Sequence, residues 1–142
     1  MRKYSSWRPK ENRAPIRISK WVSLSVKNIL GKLYKAQDRF IKAEELYLET
    51  MEARRRKLGD DHPETLETMI DLAVLYKEQG RYEEAEPLLL AAVEGRHLKL
   101  GEKHPHTLES LNNLIDLYEA WNKPEKAEQW RAKLPQKEAV EQ

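Results

Sequence analysis

Leu66, Met69, Leu72, Leu75 and Tyr76 fall three and four residues apart, the spacing of one face of an α-helix. Ala85, Leu88, Leu89, Ala92 and Val93 form a second such stripe. Gly80 lies between them, where a chain reversal needs a permissive backbone. Leu114, Leu117 and Tyr118 restate the first stripe further along, and Leu33 and Tyr34 precede it. The pattern predicts six helices, at about 22–37, 40–57, 63–79, 82–98, 105–121 and 124–133. No run after Val26 alternates apolar and polar residues with β-branched enrichment, so no strand is expected.

The stripes recur at a constant stride. Lys57-Leu58-Gly59-Asp60-Asp61-His62-Pro63-Glu64-Thr65-Leu66-Glu67 returns about 42 residues later as Lys99-Leu100-Gly101-Glu102-Lys103-His104-Pro105-His106-Thr107-Leu108-Glu109. Arg39, Phe40, Ala43, Glu44 and Leu46 match Arg81, Tyr82, Ala85, Glu86 and Leu88, which adds an earlier copy. A fixed period of this length means stacked units that share their cores with their neighbours. The opening helix of the first copy departs most: Lys27 stands where Met69 and Leu111 stand later. Asp38 and Asn122 take the place of Gly80, and both residue types tolerate a left-handed turn. Gly59 and Gly101 should end the preceding helices. Pro63 and Pro105 fit first helical turns, capped in the second unit by Asp61 or His62. Pro87 falls inside the fourth helix and should bend it.

Three motifs carry a resemblance: Leu-Gly-x-x-His-Pro-x-Thr-Leu, Leu-x-x-Leu-Tyr, and Gly-Arg-Tyr-Glu-Glu-Ala-Glu-Pro-Leu. With them the chain resembles the tetratricopeptide repeat (TPR), in the 42-residue form found in kinesin light chains and in bacterial and fungal multi-repeat proteins. The resemblance covers residues 22–134. It implies an all-α, right-handed α-solenoid of three helix-turn-helix units, at about 21–58, 59–100 and 101–134 within a domain spanning 21–134. It also implies a module that binds a peptide or a partner's helix in a concave groove lined by the first helix of each unit. The groove positions it assigns are Ser25, Asn28, Lys32 and Lys35, then Glu67, Ile70, Val74 and Lys77, then Glu109, Asn112, Asp116 and Glu119. One end of that groove is basic and the other acidic. Some family members hold chaperone C-termini through a clamp of Lys, Asn and Arg. Here Asn28 and Lys32 are transposed, and Asp71 and Glu109 replace the Asn and Lys it needs, which disfavours that ligand.

Charge sets one end of the chain apart. The chain carries a net +2, yet residues 1–20 hold seven basic residues against the single acid Glu11. That arm contains Pro9 and Pro15 and has no helical period, so it is expected to be disordered, with a short tail at 135–142. A contact with nucleic acid or another anionic surface is the arm's alternative role. Cysteine is absent, which removes disulfides and thiolate metal sites. No apolar run approaches the ~20 residues of a membrane span and no signal-peptide core is seen, so a cytoplasmic location is expected.

Catalytic constellations are missing from the pattern. His62 and His104 share a repeat position, and no histidine pair has helical metal-site spacing. Glu83, Glu84 and Glu86 read as a solvated face near a helix start. Ser and Thr lack a base partner, and there is no Gly-rich phosphate loop. No enzymatic activity, cofactor, metal or small-molecule substrate is expected. Trp121 and Trp130 read as an amphipathic cap on the last unit, or alternatively as an anchor for a partner. Two other roles compete with groove binding: an end piece of a longer array, and self-association through the first helix.

Overall fold

The computed structural model describes residues 23–135. The basic arm and the last seven residues lie outside that range. Six helices follow one another: α1 Leu24–Ala36, α2 Phe40–Leu58, α3 Pro63–Glu78, α4 Tyr82–Leu100, α5 Pro105–Ala120 and α6 Pro124–Arg131. Each lies within about two residues of its expected bounds, and there is no strand among the described residues. Each helix packs chiefly on the one before and the one after, with further contacts of α1 on α3 and of α3 on α5. The result is an all-α solenoid of three stacked hairpins.

The hairpin turns are built alike. Asp38, Gly80 and Asn122 take φ of 62°, 76° and 61°. The next residue's N–H then reaches back to a tyrosine carbonyl in each unit: Arg39 to Tyr34, Arg81 to Tyr76, and Lys123 to Tyr118, all at 2.8 Å. Between units, Gly59 and Gly101 sit at φ 104° and 94° with ψ 163°, a conformation open essentially to glycine alone. His62, not Asp61, caps α3: its Nδ1 accepts from the Glu64 N–H at 3.1 Å, and His104 does the same for His106 at 3.0 Å. The recurrent histidines are therefore helix caps. Pro87 lies in the second turn of α4, which runs unbroken past it; Pro87 and Glu83, whose carbonyl loses its partner there, are both exposed.

The core runs as a ribbon between the two helix layers. Leu72, Leu75, Leu114 and Leu117 are at most 1% exposed, as are Ala43, Ala85 and Ala127 at the start of each second helix. One pair of positions shows how volume is shared. Gly31 of α1 faces Tyr47 of α2, and a Cβ on Gly31 would lie 2.6 Å from the tyrosine ring. The same two positions hold Ala73 and Leu89 in the second unit, and Ile115 and Arg131 in the third. A larger residue on the first helix goes with a slimmer or solvent-reaching one on the second.

Candidate functional site

The first helices α1, α3 and α5 lie side by side and present one face away from the second helices. A cavity of about 330 Å³ opens between α3, α5 and the last turns of α4. Its apolar wall is Pro63, Leu66, Ile70 and Leu100, and its polar rim includes Lys32, Glu67, Asp71, Arg96, His106 and Glu109. Of the expected groove residues, Lys32, Glu67, Ile70 and Glu109 line this cavity. Asn112, Asp116 and Glu119 are exposed further along α5, and Lys35, Val74 and Lys77 are half-buried.

Asn28 occupies a different role. It is 4% exposed and its amide donates to Asp71 Oδ2 at 2.8 Å, tying α1 to α3. Lys35 is likewise engaged with Glu78 at 3.4 Å, which offsets the positive end of the expected charge gradient. Glu119 pairs with Arg131 at the opposite end. Asp71 is the residue the spacing did not single out. Burial pushes its carboxyl upward; the Asn28 hydrogen bond and nearby Lys32 oppose the rise, and Glu67, one turn earlier, adds to it. A raised carboxyl pKa means the native state holds its proton more tightly than the unfolded chain. Its penalty is present at neutral pH and is relieved as pH falls through the folded-state value. Asp71→Asn is therefore expected to raise stability at pH 7 and to flatten the stability–pH curve above about pH 4, read by urea unfolding at a series of pH values.

Two buried arginines anchor the starts of α3 and α5. Arg54 is 3% exposed; its Nη1 donates to the Glu64 carbonyl at 3.1 Å and to Thr68 Oγ1 at 2.7 Å. Arg96, one repeat later and 6% exposed, donates to the His106 carbonyl at 2.8 Å and to Glu109 Oε1 at 3.2 Å. Each reaches from a second helix into the first turn of the next unit and holds the start of the groove helix in place. Their recurrence at one repeat position was the signal for them.

Tyrosine joins the units at the other end of the helices. Tyr76 donates to Glu44 Oε2 at 3.1 Å and Tyr118 to Glu86 Oε2 at 2.6 Å. Burial, reinforced by Glu44, pushes the Tyr76 hydroxyl up to about 12. Arg81 lies 4.3 Å over the Tyr76 ring and donates to Glu44 at 2.9 Å. Tyr34 begins the series: it is half-buried beneath Arg39. Trp121 stacks on Tyr82 and Tyr118 with Lys123 at 3.7 Å over its ring, and so closes the last unit. Trp130 instead borders an apolar cleft of about 700 Å³ with Leu90, Val93 and Leu111, beside the short α6. No group of three or more His, Asp or Glu suited to a metal ion occurs among the described residues. No helix there is long and apolar enough to cross a membrane.

A family model described as tetratricopeptide repeat matches residues 23–97 and 76–131. A search of curated proteins gives no match. Among solved structures, BtubC (BKLC) from P. vanneervenii superposes with a TM-score of 0.72 at 22% identity, over 78% of this chain and 43% of that one. A Podosopora anserina protein described as a kinesin light chain with nearly identical TPR-like repeats gives 0.68 at 24% identity, over 92% and 58%. A single-substitution variant of that same protein gives 0.67 at 27%, over 92% and 59%. The chain thus spans less than two thirds of the length of each of these structures.

Proposed function

Because the chain belongs to the tetratricopeptide repeat family, whose members are in general protein-interaction scaffolds, we propose that it holds a partner's peptide or helix on the face of α1, α3 and α5. The cavity between α3 and α5 carries this reading: an apolar wall at Ile70 and Leu66 lies beside carboxylates at Glu67 and Glu109. Such a surface suits a segment that places an apolar side chain next to a basic one. Lys32 at one edge and Asp116 beyond the other give the segment a direction. The module works without chemistry of its own, as a non-enzymatic cytoplasmic scaffold.

Selection of a displayed random-peptide library against the whole chain tests the reading. Enriched peptides should carry Lys or Arg beside an apolar residue. Glu67→Lys and Asp116→Lys lie on exposed helix surface, so both should leave helicity unchanged. Each is expected to weaken the selected peptide at least tenfold by calorimetry. Equal affinity in both variants would remove the site from this face.

A second reading is favoured by α1. Val26, Ile29 and Leu33 are 45%, 55% and 54% exposed on one side of that helix, an apolar face suited to self-association.

A further inference from the structure

We infer that two copies of this chain pair through α1, antiparallel about a two-fold axis, in a closed dimer; this rests on the reading of α1 as a self-association surface. Three observations lead there. The first is a comparison along the repeat. Position 26 is valine where the later units have Thr68 and Ser110, and position 29 is isoleucine where they have Asp71 and Asn113. In the second unit Thr68 receives the buried Arg54 of the preceding helix. Val26 offers no such acceptor. The outer face of α1 is thus more apolar than its counterparts.

The second observation concerns the opposite end. Arg131 of α6 stands where α4 has the buried Leu89, and it pairs with Glu119 and Glu128. Among the described residues α6 is charged at that position, and the apolar side chains of that end are gathered at the Trp130 cleft with Leu90, Val93 and Leu111. A copy seated there would stack head to tail, the open arrangement that the test separates from a closed pair.

The third is the fit of α1 to itself. Val26, Ile29 and Leu33 follow the three-and-four spacing of a helix–helix seam. Turned end for end, the stripe sets Val26 toward the Leu33 end of its copy and keeps Ile29 near the axis. The helix has no acidic residue, yet its lysines do not crowd the seam. Lys27 is bound to Glu49 and Lys35 to Glu78 within the same chain, leaving Lys32 at the margin. A face this small belongs to the weak, reversible class of interface.

The test uses the full chain, which has no cysteine of its own. Sedimentation velocity from about 10 µM to 1 mM should show a shift toward twice 16.8 kDa. Leu33→Glu should weaken that association at least tenfold with unchanged far-UV circular dichroism. Under mild oxidation, Val26→Cys alone should form little disulfide-linked dimer, because antiparallel helices separate the two sulfurs by about 10 Å. An equimolar mixture of Val26→Cys and Leu33→Cys chains should cross-link readily. A monomer at every concentration overturns self-association itself, and so does a monomer whose cysteine at position 33 is shielded from alkylation by residues 1–22. Rapid cross-linking of Val26→Cys to itself keeps self-association but overturns the antiparallel arrangement. Species larger than a dimer overturn closure.

Discussion

Tyr47→Ala removes about 3–5 kcal/mol of stability, a large share of what a domain this size possesses. Tyr47 is 1% exposed and fills the notch above Gly31. Alanine would leave a cavity that the fixed spacing of α1 and α2 cannot close. Chemical denaturation followed by circular dichroism should place the midpoint well below that of the parent, while Tyr47→Phe keeps the ring and stays close to the parent. The same contact makes Gly31→Ala unfavourable despite alanine's better helix propensity. Its Cβ would meet the ring at 2.6 Å, and overpacking of this kind costs about 1–3 kcal/mol. Combining Gly31→Ala with Tyr47→Leu reproduces the Ala73 and Leu89 pair of the second unit. The double variant should be more stable than the sum of the two single changes predicts. Strict additivity would show that the two positions do not share one volume.

Leucine at one repeat position should behave in opposite ways according to its place in the stack. Leu75 and Leu117 are 0% exposed, whereas Leu33 is 54% exposed. Leu75→Ala and Leu117→Ala are each expected to lose about 2–5 kcal/mol, through lost transfer energy and the cavity left behind. Leu33→Ala, measured in dilute solution, should fall within about 0.5 kcal/mol of the parent. Thermal unfolding of the three variants side by side checks this. A Leu33→Ala loss comparable to the other two would mean that α1 is covered even in the monomer.

The helices were legible because the chain states its pattern three times. A single stripe such as Leu66, Met69 and Leu72 leaves the partner helix unnamed; its return one repeat later names it. Turn chemistry was equally plain, since only a few residue types adopt the φ of Asp38, Gly80 and Asn122. The cavity was less so. Asn28 sits at a groove position by analogy, yet an amide within reach of a half-buried carboxylate bonds it and turns inward, as it does to Asp71. Ile70 belongs to both wall and core. Arg54 and Arg96 share a repeat position, but the sequence pattern alone does not show that both are buried. In the fold each meets a backbone carbonyl in the next helix's first turn, Glu64 for Arg54 and His106 for Arg96, an acceptor that no side-chain pattern records. The mismatch of α1 with its successors was visible in Lys27, but its meaning depended on seeing which side of the helix faces outward.

Because each helix touches mainly its immediate neighbours in the chain, most native contacts close only a short loop of polypeptide, and the longest cross about one repeat. Little chain entropy has to be surrendered before a contact forms. Such a topology predicts rapid refolding, in milliseconds or faster, with nucleation open to any hairpin and growth outward from it. The middle hairpin, flanked on both sides, is the natural seed; the ends join last and loosen first.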